Sequence, residues 1–328
     1  MVADGKFVAP ATVAEALSAL RADDALALGG GTSVGLLLGQ SLIEPGVLVW
    51  LGRIPALRGI TLDDANLRVG AAVTLRELSR HPAARSSLTA LAEAAGMVGN
   101  PRVRAVATVG GALAHADPRQ DLPPALVALG AIVEIDGPEG NRTVPAASLA
   151  VGMMETVLRP GEMITAVRIP IVPGMRSVYL RFTPGSAADY PTVAAAASAS
   201  RNPDGTLASV ALSLGAVDRT VLAVPEAAAL AGQRMPPAES LAAVAEAAAR
   251  RARPVATRRG SADYVRAMAA VWARRALIAC LSPLPVPDDQ TFGNTRSAAT
   301  ASTADHSAPT GQPAPPRSRQ HLRHDRGA

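Results

Sequence analysis

The segment TVGGALAHADPRQD, from Thr108 to Asp121, carries the residue types best suited to binding chemistry in this chain. Two glycines, Gly110 and Gly111, follow a threonine hydroxyl and leave backbone N–H groups accessible. Asp117 and Asp121 place two carboxylates a few residues downstream. Amides and a hydroxyl suit a phosphate, and carboxylates accept hydrogen bonds from sugar hydroxyls. The segment therefore predicts a site for a phosphate and a sugar.

A second glycine-rich segment, GGGTS at residues 29–33, directly follows a predicted strand over 25–28. A glycine run in this place lets backbone N–H groups approach an anion, because no Cβ stands in the way. The segment does not match the dinucleotide fingerprint, since Val34 occupies its last position, and it lacks the lysine of a P-loop. Taken alone, it is equally compatible with a plain tight turn.

Other site chemistries find less support. His115, Asp117 and Asp121 could ligate a metal, but Pro118 interrupts helical spacing between them and no histidine-rich segment completes the set. We therefore expect no metal site and expect His115 to be a hydrogen-bonded structural residue. The sequence has no G-x-S-x-G nucleophile elbow, and His81, which precedes a proline, is expected at the surface. Nucleophilic hydrolysis is not indicated.

The composition favours a folded protein that does not bind nucleic acid. The chain has 328 residues, 48% of them hydrophobic, which is enough for two domains. Its net charge is +5, and every cationic residue except Lys6 is an arginine. Nucleic-acid binding is disfavoured because the aromatic content is 2% and the charges are scattered. The dense stretch from Arg250 to Arg275 is typical of a solvated helix face or a protein-docking surface.

Cys280 is the only cysteine of the chain. The chain alone therefore cannot form an internal disulfide or ligate an iron–sulfur cluster that needs four thiolates. Because Cys280 lies in the apolar run 272–281, we expect it to be a buried packing residue. The N-terminus lacks signal-peptide features, and no apolar stretch reaches the roughly 18 residues of a membrane span. These features predict a cytoplasmic protein without a membrane span.

Hydrophobic periodicity predicts a mixed α and β region up to about residue 174 and a small sheet covered by helices after it. Thr12 begins a helix over 12–20, and Thr74 with Glu77 forms a capping box. The other predicted helices cover 85–97, 122–129, 225–231, 239–250 and 261–281. The predicted strands cover 25–28, 47–51, 57–60, 67–70, 131–135, 162–169, 177–182, 192–200 and 208–217. A turn at 202–205 joins the last two strands.

Short motifs follow one another along roughly the first 280 residues. They are LGGGTSV at 28–34, GNPRVR at 99–104, TVGGALAHADP at 108–118, DLP at 121–123, FTP at 182–184, DY at 189–190, GSADYVR at 260–266 and RRAL at 274–277. Together they resemble the FAD-binding medium subunits of molybdenum hydroxylases, of the carbon monoxide dehydrogenase and xanthine dehydrogenase type. The ordered set is far more specific than either glycine segment alone.

The resemblance implies a fold of class α+β. Residues 1–174 would form an FAD-binding domain of the vanillyl-alcohol-oxidase (PCMH) type, with subdomains of about 1–55 and 56–174 that hold FAD between them. Residues 175–282 would form an α+β carbon monoxide dehydrogenase flavoprotein C-terminal domain. The remaining segment, 283–328, has almost no large apolar residues and is predicted to be disordered.

The resemblance also implies which residues contact the FAD pyrophosphate. The first glycine segment would wrap it through six consecutive residues: Gly29, Gly30, Gly31, Thr32, Ser33 and Val34. The second would bind it through Thr108, Gly110 and Gly111. At the next position, Ala112 stands where relatives often have asparagine, so one side-chain contact would be missing.

Three further contacts are implied. Asp121 would hydrogen-bond ribose hydroxyls, and Ile164 would pack beside the cofactor. Arg181 stands where many relatives have a lysine near the isoalloxazine, and a cation there would stabilise the reduced, anionic flavin. Arginine keeps the charge of lysine but is a wider planar group, so the flavin electronics would differ. Because neither loop offers a histidine or cysteine as an evident anchor, we expect noncovalent FAD.

The implied function is electron transfer within a larger enzyme. A large partner subunit would carry the molybdenum cofactor, and a small partner subunit would carry [2Fe-2S] clusters. FAD on this chain would pass electrons to NAD+, a quinone or oxygen, in a dimer of heterotrimers. The alternatives are a stand-alone FAD-dependent oxidase of the same fold and a non-catalytic paralogue without FAD.

Overall fold

The computed structural model describes residues 5–63, 65–258 and 260–282. The predicted disordered segment, 283–328, lies outside the described residues. No helix of the described part is long and apolar enough to cross a bilayer.

The N-terminal portion is built around a small parallel sheet. Its elements are β1 (Lys6–Val8), α1 (Val13–Ala19), β2 (Ala25–Leu28), α2 (Val34–Gly39) and β3 (Val47–Trp50). The strand order is β1-β3-β2. Helix α1 begins at the expected cap, where Thr12 Oγ1 accepts a hydrogen bond from the Glu15 amide at 3.2 Å. Helix α2 was not predicted, because its six residues include two glycines and are too few to show a helical period.

An antiparallel sheet with helices inserted between its strands follows. The strands are β4 (Ile60–Leu62), β5 (Asn66–Gly70), β6 (Ile132–Gly137), β7 (Gly140–Pro145), the hairpin β8 (Ala150–Gly152) and β9 (Glu155–Thr156), and β10 (Met163–Pro170). The sheet order is β4-β5-β10-β6-β7. The helices are α3 (Leu75–Arg80), α4 (Pro82–Ser87), α5 (Thr89–Met97), α6 (Pro101–Arg104), α7 (Val109–His115) and α8 (Leu122–Ala128).

Local signals in this region were predicted with mixed success. The capping box is confirmed, since Thr74 Oγ1 accepts from the Glu77 amide at 3.2 Å and Glu77 Oε2 accepts from the Thr74 amide at 2.8 Å. The prediction of one helix over 85–97 is wrong. The chain leaves the helical conformation at Leu88 (φ −133°, ψ 56°), whose side chain is fully buried in the core. The strand predicted over 57–60 starts instead at Ile60, because Leu57 lies in a 3₁₀ turn, and it pairs antiparallel with β5.

The C-terminal portion is a four-stranded antiparallel sheet covered by two helices. Its elements are β11 (Arg176–Phe182), β12 (Val193–Arg201), β13 (Leu207–Gly215), β14 (Leu222–Ala223), α9 (Ala238–Arg251) and α10 (Ala262–Leu281). The predicted turn is confirmed, with the Asn202 amide donating to the Thr206 carbonyl at 2.8 Å and Gly205 at φ +85°. The predicted helix after β14 is a 3₁₀ helix, Pro225–Leu230. Cys280 is buried as expected, and burial raises the pKa of its thiol to about 12.

The C-terminal sheet contacts helices α5 and α8 through buried hydroxyls. Ser177 Oγ accepts from the Ala90 amide at 3.1 Å, and Ser198 Oγ donates to the Ala128 carbonyl at 2.6 Å. Because buried hydrogen bonds are costly to leave unmade, these contacts fix the sheet relative to α8. Asp121, which directly precedes α8, is thereby held against the sheet.

Candidate functional site

A cavity of about 500 Å³ lies where both glycine segments meet. Its walls come from the loop after β2, from α2, from α7 and from the loop before β12. Apolar residues supply much of the lining: Leu26, Leu36, Leu37, Ile43, Leu75, Val98 and Val103. Its volume is within the usual range of small-molecule and cofactor sites.

The two glycine segments touch each other directly. A Cβ at Gly30 would lie 1.8 Å from the carbonyl oxygen of Val106, and a Cβ at Gly29 would lie 2.5 Å from Thr108 Oγ1. No side chain larger than a hydrogen fits at either position without moving backbone or the threonine. These glycines are therefore required by the contact between the loops, and this contact shapes one end of the cavity.

The first glycine segment presents unpaired backbone donors to the cavity. Residues 30–33 all line it, and within the described residues none of their four amides donates to a protein acceptor. Gly31 has φ +73°, a conformation that favours glycine and turns the chain into α2. Consecutive unpaired N–H groups of this kind form an anion-binding concavity. The half-buried segment is thus suited to a phosphate group.

The second glycine segment differs from the sequence-based expectation. Its first three helical amides already have acceptors: that of Val109 donates to Val73 at 3.0 Å, that of Gly110 to Ala71 at 2.8 Å, and that of Gly111 to Thr108 Oγ1 at 3.2 Å. Thr108 is the N-cap of α7, a role that a threonine before an apolar run could have suggested. The expected binding through bare amides at Gly110 and Gly111 is therefore not supported by this geometry.

This segment contributes to the cavity a threonine hydroxyl and two wall residues with a small side chain or none. Thr108, Gly111 and Ala112 line the cavity, whereas Gly110 does not. A Cβ at Gly110 would lie 2.6 Å from the Cβ of Ala71, so this glycine serves packing. The Thr108 oxygen accepts a hydrogen bond from Gly111, and its own proton is available for donation to a ligand.

Asp121 lines the cavity and is held from behind by the C-terminal sheet. Its Oδ1 accepts from the Tyr179 hydroxyl at 2.6 Å and from Arg181 Nη1 at 3.0 Å. Burial raises the pKa of this carboxyl, although the Tyr179 hydroxyl and the Arg181 charge both act to lower it. Tyr179 was not predicted as a functional residue, because its contact with Asp121 spans 58 positions of sequence.

Ile164 and Arg181 lie outside the cavity wall. Ile164 is 4% exposed and packs within the core on β10. The Arg181 side chain is 8% exposed and pairs with Asp121, and its guanidinium also donates to the carbonyl of Ala187. Neither residue is among those that line the cavity. The expected contacts of these two residues with FAD remain predictions.

Several residues at the cavity were not expected there. His115 lines it and makes no side-chain hydrogen bond with the part of the chain that the structure describes, so its expected role as a hydrogen-bonded structural residue is not supported. Gln120 and Tyr190 also line the wall. The guanidinium of Arg119 lies 4.9 Å from the centre of the Tyr190 ring and pairs with Asp117 at 2.8 Å.

Among the described residues, no group of three or more acidic, histidine or cysteine side chains is arranged to hold a metal ion.

Comparison with known proteins identifies the family. Residues 3–172 match a family model described as the FAD binding domain in molybdopterin dehydrogenase, and residues 179–280 match one described as the CO dehydrogenase flavoprotein C-terminal domain. The carbon monoxide dehydrogenase medium chain of Hydrogenophaga pseudoflava is 32% identical over 275 residues, which cover 83% of this chain and 95% of that relative. The putative xanthine dehydrogenase FAD-binding subunit of Escherichia coli is 29% identical over 77% of this chain and 88% of its own length.

Solved structures show the same similarity. A chain of carbon monoxide dehydrogenase from Hydrogenophaga pseudoflava superimposes with a TM-score of 0.80 at 33% identity, covering 84% of this chain and 96% of that one. A chain of quinoline 2-oxidoreductase from Pseudomonas putida 86 gives a TM-score of 0.78 at 30% identity, with coverage of 84% and 96%. The chain belongs to the FAD-binding medium subunits of the molybdenum hydroxylases, a family of oxidoreductases.

Proposed function

We propose that this chain holds FAD noncovalently in the cavity and serves as the electron-transfer subunit of a molybdenum hydroxylase. When bound, FAD supplies redox chemistry that links one-electron iron–sulfur clusters to an acceptor such as NAD+, a quinone or oxygen. The observation that carries the proposal is the row of four amides at residues 30–33, which have no acceptor in the part of the chain that the structure describes and face an otherwise largely apolar cavity.

The residues present fit the two chemically different parts of FAD. The amides of residues 30–33 and the Thr108 hydroxyl suit the pyrophosphate, because these donors have no competing acceptor among the described residues. The apolar walls suit flat aromatic rings, which gain by leaving water. Asp121 offers an acceptor at the wall for hydroxyl or N–H donors of the cofactor, including the ribose hydroxyls of the original prediction.

The same account requires partner subunits. With Cys280 as the only cysteine, and that one buried, this chain has no thiolates for an iron–sulfur cluster. We propose that a small iron–sulfur subunit and a large molybdenum-cofactor subunit assemble with it as a dimer of heterotrimers. The relatives support this division, because they are named medium chains or FAD-binding subunits of multi-subunit dehydrogenases.

Affinity purification through a tag on this chain tests the proposal. The expected product is brown from its iron–sulfur clusters, releases yellow FAD on acid denaturation, and contains both an iron–sulfur and a molybdenum subunit. A flavin-loaded chain that turns over an organic substrate without partners would instead establish a stand-alone oxidase. A colourless chain that does not take up added FAD would establish a paralogue without the cofactor.

A further inference from the structure

A buried polar network joins the cavity wall to the C-terminal sheet. Tyr179 and Arg181, two positions apart on β11, both donate to Asp121 Oδ1, at 2.6 Å and 3.0 Å. Tyr179 is 1% exposed, and the side chains of Arg181 and Asp121 are 8% and 5% exposed. Burying three such groups together is costly unless each is well paired, so their arrangement is narrowly determined.

The two donors approach Asp121 from the side that faces away from the cavity. Asp121 lines the cavity, whereas Tyr179 and Arg181 do not, so both donors reach the carboxylate from behind. They occupy Oδ1, and within the described residues Oδ2 receives only a longer hydrogen bond from Arg181 at 3.2 Å. A carboxylate has about four lone-pair sites, so Oδ2 retains the capacity to accept from a ligand.

Tyr179 is itself held in one orientation. Its ring lies in a slot of small side chains from both portions of the protein: Ala90, Ala94, Ala125, Ala128, Ala194 and Ala196. Its backbone amide donates to Glu93 Oε2 on α5 at 3.0 Å. A close-packed slot of this kind leaves the ring no alternative rotamer, so the hydroxyl is directed at Asp121 before any ligand arrives.

We propose that Tyr179 is a positioning residue for FAD: its hydroxyl fixes the carboxyl group of Asp121 as an acceptor at the cavity wall, so the C-terminal sheet completes the cofactor site. The proposal rests on the proposed placement of FAD in this cavity. Tyr179 acts through Asp121 and does not touch the cofactor. Loss of its hydroxyl should weaken FAD binding roughly 10-fold, because the Asp121 carboxyl group would no longer be held in the orientation in which it accepts from the cofactor.

The proposal predicts a change in pH dependence. Burial raises the pKa of Asp121, whereas the hydrogen bond from the Tyr179 hydroxyl and the charge and hydrogen bond of Arg181 act to lower it. The other charged or titratable groups at or beside this wall include His115 and Asp189, which line the cavity, and Tyr190, whose pKa burial raises. They also include the Asp117–Arg119 pair and Glu93, which accepts from the Tyr179 amide. A substitution that removes only the Tyr179 hydroxyl leaves all of these groups in place. Without the hydroxyl the pKa of Asp121 rises further, so FAD binding should be lost at a higher pH on acidification.

The experiment compares three substitutions in the tagged protein purified with its partner subunits. Tyr179→Phe removes the hydroxyl and keeps the ring, and Asp121→Asn removes the charge. Ser198→Ala is the matched control, because it deletes another buried hydroxyl between the sheet and α8, and that hydroxyl bonds the Ala128 carbonyl at 2.6 Å and not Asp121. FAD dissociation constants are measured from flavin fluorescence across a pH series, with thermal unfolding recorded for each variant.

We expect Tyr179→Phe to weaken FAD binding roughly 10-fold and to raise the pH below which FAD binding is lost. Ser198→Ala should keep the wild-type affinity for FAD and its pH dependence. If Tyr179→Phe and Ser198→Ala weaken binding equally with an unchanged pH profile, the hydroxyl has a purely structural role and the proposal fails. If only Asp121→Asn weakens binding, the placement of FAD beside Asp121 is supported and the proposed role of Tyr179 is wrong. If neither Tyr179→Phe nor Asp121→Asn affects binding, the placement of FAD at this wall is wrong as well.

Discussion

Substitution of Gly30 by alanine tests the contact between the two glycine segments. The added Cβ would lie 1.8 Å from the Val106 carbonyl oxygen and 2.9 Å from the Cα of Ala107. An ordinary carbon–oxygen contact is about 3.3 Å, so the loops must separate by roughly 1.5 Å. Because the obstacle is backbone, the cost should reach the upper end of overpacking effects, about 3 kcal/mol.

The same displacement should remove bound FAD. Hydrogen bonds from amides to a phosphate are lost over a shift of this size, and each is worth about 1.5–3 kcal/mol. We expect the Gly30→Ala protein to retain less than about a tenth of wild-type flavin. Its urea midpoint should fall as well, and both quantities are measured on protein purified by the same tag.

Gly35→Ala is the matched control. Gly35 lies five residues further along, in the first turn of α2, and a Cβ there would meet no atom within 4 Å. Alanine favours helix over glycine by up to about 1 kcal/mol, so this variant should keep its flavin and be at least as stable as the wild type. Wild-type flavin content and stability in Gly30→Ala would refute the close approach of the loops. Equal loss of flavin in both variants would show that the effect comes from α2.

Three further predictions concern single side chains. Thr108→Val should lose about 1 kcal/mol of stability with the α7 cap and should bind FAD more weakly, whereas Thr108→Ser should retain both, as judged by urea unfolding and flavin content. Arg142 holds the pKa of Glu162 below its usual range, so their pairing stabilises the protein at pH values where Glu162 is ionised. This stabilisation is lost as the pH falls through the lowered pKa of Glu162. In urea titrations, the difference in free energy of unfolding between the wild type and Glu162→Gln should therefore narrow on acidification. Cys280 should not react with a thiol reagent at pH 8 until the protein is unfolded, and a fast reaction of the native protein would contradict its burial.

Features fixed by neighbouring residues were predictable from the sequence. The caps at Thr12 and Thr74 and the turn ending at Gly205 involve contacts across three or four positions, and each is confirmed. The break at Leu88 was not predictable from periodicity, because burial of that side chain in the tertiary core overrides the helical pattern.

The sequence predicted where the site lies better than it predicted which atoms contact each other there. Both glycine segments line one cavity, but the atoms that require Gly30 to be a glycine belong to Val106 and Ala107, more than 70 positions away. The partners of Asp121 likewise lie 58 and 60 positions further along the chain. No local pattern encodes such pairings, so the sequence indicated a phosphate-binding segment at Gly110 without showing that its amide is already used.

A crystal structure of the protein with bound FAD tests the central claim most directly. The account predicts pyrophosphate oxygens about 2.7–3.2 Å from at least two of the backbone nitrogens of residues 30–33, which have no acceptor within the described residues. It also predicts that the amide of Gly110 stays bonded to the Ala71 carbonyl. A pyrophosphate bound elsewhere, with the amides of residues 30–33 facing only water, would contradict the account.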